Sequence, residues 1–366
     1  MNIVFFAPRF HTNQVEVVKA LQSDGHVVEF HVTKISVVED HKAIRPELVP
    51  LSRLSALSNY FAGGSSNYLL ISSVKYFLAL KAKSVDLIII RDPVSLTPIL
   101  AALIGRVLRI KILFYTQVRI IDKKGILRRV FYKSLMFFFQ ARWYSPVIGS
   151  DSFVVRSDLR DLYYLPFPTE VLRCSSLNFF NGVCNILAVG KYQTRKNHLL
   201  LLRAINILKH QFDFQLTVIG ECSNLEHLGI YRELESFVEE NNLKGVVTLY
   251  RNISPQEMAR FFSDSNIFVL ASYNEPASIS ILEAMSFSIP VVVSDDCGNR
   301  DFVLNNITGF HFKRNSLLDL TLKLSHLLSE MELFQKMVKE TEVRTKENFS
   351  YSFFLRQFYR ILGGRN

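Results

Sequence analysis

Glu275 and Glu283 stand eight positions apart in the run 271–285, where an apolar strand pattern gives way to a helical one. Upstream, Gly190 and Lys191 open a second turn of the same strand-to-helix kind, and it also carries Arg195 and Lys196. Fixed carboxylates accept hydrogen bonds from sugar and ribose hydroxyls, and fixed cations at a helix start hold a diphosphate. Together the two turns point to a nucleotide-sugar site. Each also has a plainer explanation. A solvated basic turn accounts for Lys191, Arg195 and Lys196, and a structural ion pair with Arg300 accounts for Glu283. Glu283 falls among Ile279, Ile281, Leu282, Met285 and Phe287, so it needs donors of some kind. Vicinal ribose hydroxyls would supply two.

The elements around these turns alternate. In the first half, strand patterns cover Asn2–Ala7, Val27–Val32, 85–90, 111–117 and 152–155, with helical patterns at 14–22, 95–108 and 125–142. The stretch 35–65 has no period and reads as loop. In the second half, strands are expected at 185–189, 215–220, 246–250, 266–270 and 290–294. Helices are expected at 198–210, 226–242, 255–264, 278–288 and 316–346. Ser254, Pro255 and Glu257 form a capping box with Pro at the first helical position. Short apolar strands flanked by helices predict parallel sheets covered on both faces, hence two doubly wound α/β domains. In such sheets ligands bind beyond the carboxyl ends of the strands, where both turns lie.

A chain of 366 residues exceeds one ordinary core. Hydrophobic content is 49%, mean hydropathy is +0.16 and Phe occurs 30 times. No apolar run is long enough for a membrane span; Lys75, Arg106, Arg109 and Lys111 cut the candidates. The first residues read as a strand rather than a signal peptide. Cys174, Cys184, Cys222 and Cys297 form no CxxC pair and no zinc-spaced cluster with His, so reduced thiols in a cytoplasmic protein are expected. Residues 1–168 hold 22 Lys/Arg against 12 Asp/Glu, whereas 169–366 hold 21 of each. The whole +10 excess therefore sits in the first half, which suggests a polyanionic surface or partner there.

Residues 185–315 resemble the donor-binding domain of retaining GT-B glycosyltransferases of family four, a group that includes bacterial surface-polysaccharide enzymes. Glu275 to Glu283 matches the family's E-x7-E motif, followed by Ala284-Met285 and a strand from Pro290. Gly190-Lys191 and Lys196 match its phosphate loop, with Lys for Arg and Asn197 for Gly. Asp295 to Gly298 stands in place of a Gly-rich turn, and Gly309-Phe310 also matches. The first half resembles the family more weakly, through Gly25-His26 and the strand order. The resemblance implies an α/β GT-B fold of two Rossmann-like doubly wound domains facing a cleft. Residues 1–168 would form an acceptor-binding, membrane-facing domain and 169–348 the donor domain. Residues 349–366 would form a terminal helix crossing back to the first.

It also implies roles. Glu275 would hold donor-sugar hydroxyls and Glu283 the ribose. Lys191 and Lys196 would take the charge of the leaving diphosphate, with Gly190 and Arg195 in the same loop; Glu275, Lys196 and Lys191 are the catalytic candidates. Tyr250 and Arg251 would lie by the nucleobase, and Ala277, Ser278 and Ile279 would line the donor. No metal or other cofactor is implied, because fixed cations replace it. Three departures stand out. Pro276 replaces a Gly and removes an N–H. Gln117 stands where the family has a His. Pro8 to Asn13 replaces a Gly-Gly turn, leaving His11, Asn13 and Gln117 as acceptor-side candidates.

The expected partners are a nucleotide-sugar, most simply a UDP-sugar, a glycolipid or oligosaccharide acceptor such as lipopolysaccharide, and an anionic membrane surface. The segment 123–143 mixes six cations with many aromatics, as a basic amphipathic helix on the inner face of a cytoplasmic membrane would. A core helix with a basic solvent face fits the same residues. Two other functions compete with hexosyl transfer: a non-transferring GT-B enzyme such as a nucleotide-sugar epimerase, and a basic nucleic-acid-binding module. The latter lacks base-reading residues, and no nucleic-acid partner is expected.

Overall fold

A computed structural model of the chain describes residues 1–35, 44–53, 55, 69–117, 126–147, 162–172 and 182–363. It divides into two units, Met1–Pro168 with Tyr351–Asn366, and Thr169–Ser350.

The first unit is built on β1 (Asn2–Ala7), β2 (Val27–Val32), β3 (Glu47–Leu48), β4 (Leu87–Arg91), β5 (Lys111–Tyr115), β6 (Arg142–Ser145) and β7 (Leu162–Tyr164). All pairs are parallel, in the order β3-β2-β1-β4-β5-β6-β7. Strands buried on both faces gain nothing from alternation, which is why Leu87 to Ile90 is uniformly aliphatic. Val4, Phe6, Ile88, Ile90, Ile112 and Phe114 turn to one side. They pack there against the helices Ser73–Ala82, Leu96–Val107 and Ile126–Phe139. On another helix pair, Tyr359 bonds His26 at 2.7 Å and Tyr351 bonds Glu16. These contacts tie the closing helix Tyr351–Leu362 to Val15–Ser23 and its following turn.

The second unit holds β8 (Cys184–Val189), β9 (Phe214–Gly220), β10 (Val247–Arg251), β11 (Ile267–Leu270), β12 (Val291–Ser294) and β13 (Gly309–Phe312). Their order is β10-β9-β8-β11-β12-β13, again all parallel. Gly309 pairs with Val291, and a Cβ there would lie 2.0 Å from Val291 O. In each sheet the chain winds outward one way and then restarts beside its first strand. The reversal falls between β1 and β4 in the first sheet and between β8 and β11 in the second. Loops leaving a sheet at such a point part to opposite faces and open a crevice.

Several elements differ from the sequence expectation. The pattern over 316–346 is two helices, Leu317–Ser329 and Met331–Asn348, broken at Glu330 (ψ 88) while the apolar period runs on. The pattern over 125–142 stops at Phe139, turns at Gln140 (φ 50) and becomes β6, burying Trp143. An aromatic run reads equally as helix or buried strand. The helix Ser73–Ala82 and the strands β3, β7 and β13 were not anticipated. The strand expected at 152–155 lies outside the described residues. The expected capping box is present, with Ser254 Oγ donating to Glu257 Oε2 at 2.6 Å.

Candidate functional site

The second sheet's switch point gathers the residues singled out by sequence. The turn after β8 runs through Gly190 and Lys191 into a short 3-10 turn, Thr194–Lys196, and then the helix His198–Leu208. Asn197 links the two in the left-handed region (φ 55). Asn tolerates that conformation better than most side chains, so it serves at this turn without a Gly. Gly190 is required for another reason. The stem of Lys196 lies over it, and a Cβ would meet Lys196 Cδ at 3.0 Å. Lys196 is thereby buried to 8% exposure with its ammonium aimed across the switch point.

There it meets Glu275, in the turn after β11. Glu275 Oε2 accepts from Lys196 Nζ at 2.6 Å and from Arg195 Nη1 at 2.5 Å. Tyr273 N also donates to Arg195 O at 2.9 Å. Glu275 is itself buried to 7% exposure, so the charge is removed from water and is paired through Oε2. The sequence separated cations from carboxylate; the fold joins them. Lys191 does not enter this cluster. Its half-exposed ammonium pairs with Glu221 at 2.8 Å, just beyond β9. Burial works to raise the Glu221 pKa, but hydrogen bonds from Lys191 and Ser223 outweigh it and hold the carboxyl below its ordinary value.

The Glu275 turn rests on the turn after β12. Gly298 N donates to Glu275 O at 2.7 Å, and a Cβ on Gly298 would fall 1.9 Å from Pro276 O. Asn299 clamps Ser278 twice, accepting from its N–H at 2.9 Å and donating to its carbonyl at 2.8 Å. The Ser278 hydroxyl pairs with Ser280 at 2.7 Å. Ser278 therefore holds the turn, and its amide is committed within the protein. Ala277 is buried and Ile279 half-buried beside it. Asn274 enters the turn at φ 49, its N–H held by Asp296 at 2.7 Å. Glu283 follows on the helix Ile279–Ser286 and is half-buried. Arg300, its suggested partner, donates to Asp295 O.

Tyr250 and Arg251 end the edge strand β10 and are joined to the turn after β8 by Tyr192, which the sequence did not flag. Tyr192 is fully buried, its hydroxyl donates to Tyr250 O at 2.6 Å, and its ring packs edge-on against Tyr231 at 5.0 Å. The Arg251 guanidinium lies over Tyr231 at 4.5 Å. Behind the turn, His198 is buried with a ring nitrogen 3.3 Å from Gly190 O. Burial, aided by the Lys196 charge, pushes its pKa down to about 4. The ring is thus neutral and its N–H braces the Gly190 carbonyl.

In the first unit, His11 and Asn13 follow β1 and Gln117 follows β5. Arg9 Nε contacts His11 at 3.2 Å, and Gln117 Oε1 accepts from Arg91 Nη2 at 3.2 Å. The structure adds Asp92 to this group. Asp92 sits at φ 46 after β4, accepting from Arg91 at 3.2 Å and from Thr116 at 2.7 Å. An acid before Pro93 at a strand end was the available signal. Among the described residues one set of metal-ligand side chains converges, Glu29, His31 and Glu47 of the first unit. Lys83 already bridges its two carboxylates at 2.5 and 2.8 Å.

Comparison with known proteins agrees with this fold. The family described as glycosyl transferases group 1 matches residues 176–344. An uncharacterized glycosyltransferase of Methanocaldococcus jannaschii is 24% identical over 232 residues, covering 56% of this chain and 63% of that protein. The human alpha-1,3/1,6-mannosyltransferase ALG2 is 26% identical over 185 residues, 48% of this chain and 44% of that one. The chain thus spans about half the length of such relatives. Solved structures extend the likeness in fold to nearly every residue. A glycosyltransferase from Rickettsia africae gives a TM-score of 0.76 at 18% identity over 98% of this chain and 97% of that one. Anabaena HepE, crystallised in complex with UDP, gives 0.74 at 12% identity over 99% and 100%. Residues 176–344 therefore match the glycosyl transferases group 1 family, in a chain whose two parallel-sheet, Rossmann-like units have the GT-B fold.

Proposed function

We propose that this protein is a retaining glycosyltransferase that moves a hexose from a nucleotide-sugar, most simply a UDP-sugar, to a lipid-linked oligosaccharide or lipopolysaccharide acceptor. The observation that carries this reading is the ion-paired cluster of Arg195, Lys196 and Glu275 across the second sheet's switch point. The UDP bound by the HepE neighbour and the mannosyl transfer named for the human relative point the same way.

The chemistry follows from the charges. The donor's glycosidic carbon–oxygen bond breaks, and the leaving diphosphate keeps the bonding pair. Lys196 and Lys191 stabilise that growing negative charge, as a divalent ion does in other transferases, so transfer is independent of added metal. Glu275 accepts hydroxyls of the hexose and Glu283 those of the ribose. The acceptor hydroxyl then bonds to the same carbon with net retention and passes its proton to the departing diphosphate oxygen. A lipid-linked acceptor implies work at a membrane, consistent with the basic first half.

The test is turnover with a panel of nucleotide-sugars and a glycolipid acceptor, in chelator, with the product anomer read by NMR. A retained anomer formed in the presence of chelator is expected. An inverted anomer, or activity that vanishes in chelator and returns with Mg²⁺, would refute the mechanism. Nucleotide-sugar conversion without any acceptor would point instead to an epimerase.

A further inference from the structure

The edge of the first sheet carries side chains that sugar transfer does not use. On β2, Glu29 and His31 are two residues apart and project to one face. Glu47 of β3 is the register partner of His31. Strand period and register thus bring an imidazole and two carboxylates to one spot. His31 is 3% exposed, and its Nε2 lies 3.0 Å from Glu29 Oε2 and 3.9 Å from Glu47 Oε2. A tetrahedral ion with bonds of about 2.0–2.1 Å holds neighbouring ligand atoms roughly 3.3 Å apart, between those two distances. One ligand atom from each of the three side chains lies within 4.8 Å of the others.

Two further observations separate this spot from a chance gathering of acids. The far nitrogen, His31 Nδ1, lies 3.0 Å from the hydroxyl of Tyr76, which is buried in the helix Ser73–Ala82. A partner on one ring nitrogen fixes the imidazole and aims the other, as it does for metal-bound histidines. The Tyr76 hydroxyl can accept as well as donate, so Nδ1 can hold the proton while the Nε2 lone pair faces the carboxylates. The spot also already holds a cation. Lys83 Nζ sits 2.5 Å from Glu29 and 2.8 Å from Glu47. Lys83 caps the end of the same helix with its side chain 32% exposed, so its flexible stem can swing into water. A hollow of about 190 Å³ among Val27, Glu29, Lys83 and Val85 gives an ion a way in.

We propose that Glu29, His31 and Glu47 bind one zinc ion, which takes the place of the Lys83 ammonium. Mixed nitrogen and oxygen donors select zinc over Mg²⁺ and Ca²⁺, which prefer oxygen alone. Over Lys83 the ion gains a second positive charge and a bond to the imidazole, and water completes its shell. It pins β3, a two-residue strand at the sheet edge, to β2. The role is structural. The transfer chemistry proposed above needs no metal, so the site is read by binding and not by turnover.

The experiment strips the full chain with chelator, removes the chelator and titrates Zn²⁺ by calorimetry. Wild type should bind Zn²⁺ with a rise in Tm, and Mg²⁺ should not compete. Co²⁺ should enter the same site with the intense visible absorption of tetrahedral coordination. Tyr76→Phe should weaken Zn²⁺ by roughly ten- to hundredfold, because the imidazole loses its anchor. Glu47→Gln, at a half-exposed position, removes a ligand outright and should weaken it further. Lys83→Met should tighten Zn²⁺ by about tenfold, the combined strength of two half-exposed ion pairs. Metal-free melts check that each variant folds. A chain that binds no Zn²⁺ overturns the proposal. So does binding unaltered by Glu47→Gln, which would place the ion on other side chains, or weaker binding in Lys83→Met, which would make Lys83 a support and not a competitor.

Discussion

Glu275→Gln removes the one negative charge shared by Lys196 and Arg195 at 2.6 and 2.5 Å. Lys196 is 8% exposed and cannot recover its hydration where it stands. Breaking a buried pair costs about 3–5 kcal/mol, chiefly through the charge left behind. The Arg195 side chain is 37% exposed, so its share is at most about 1 kcal/mol. The Gln oxygen still accepts one hydrogen bond, which returns about 1 kcal/mol. A net loss of about 2–4 kcal/mol remains, and in a unit the size of Thr169–Ser350 that lowers Tm by roughly 5–15 °C. Two cations without a counter-ion should still bind UDP, with affinity equal to or above wild type, while turnover falls. The assays are thermal unfolding with and without UDP, calorimetric UDP affinity and steady-state kinetics. Added UDP should restore part of the lost Tm, because it supplies the missing charge. An unchanged Tm together with lost UDP binding would refute the reasoning, since Glu275 would then be a contact to UDP itself and not the resident counter-ion. Glu275→Leu with Lys196→Met offers a check: removing both charges should cost less stability than removing Glu275 alone.

His198 supplies a pH test. Its folded pKa of about 4 lies below the ordinary 6.5, so its contribution is complete above pH 6.5 and lost as pH falls toward 4. The loss amounts to about 3 kcal/mol, and His198→Gln, which keeps an N–H donor, should flatten denaturant midpoints between pH 7 and pH 4.5. Gly298→Ala should lower both Tm and UDP affinity, because its Cβ would lie 1.9 Å from Pro276 O. Gly229→Ala, in a helix with nothing within 4 Å of the added atom, should be neutral or slightly stabilising. Lys191→Met should change stability by less than about 1 kcal/mol, since its pair with Glu221 is half-exposed. It should weaken UDP by about 1.5–3 kcal/mol if the ammonium meets a phosphate; equal affinity by calorimetry would remove Lys191 from the site.

The sequence alone determined what is local. Uniformly apolar runs such as Leu87 to Ile90 and Val291 to Val293 announce strands buried on both faces. The capping box at Ser254 needs only residues within one turn. The E-x7-E spacing puts Glu275 in a turn and Glu283 on the helix after it, and both are there. The sequence was silent or misleading where the deciding energy comes from afar. The apolar period runs on through Glu330, yet packing breaks the helix there. The aromatic run to Trp143 fits either helix or strand, and pairing with β5 decides for strand after Gln140. Lys191 and Lys196 look equivalent in the chain, five residues apart. Tertiary structure separates them, because a helix start buries Lys196 over Gly190 while Lys191 stays at the rim with Glu221. Nothing in the sequence joins Lys196 to Glu275, or calls for Tyr192 and Asn299 as their supports. Those contacts exist because β8, which ends at Val189, and β11, which starts 78 residues later at Ile267, lie side by side in the sheet. Strand order is a property of the whole core, and only the fold could bring Glu275 and Lys196 together out of water, with Arg195 at their rim.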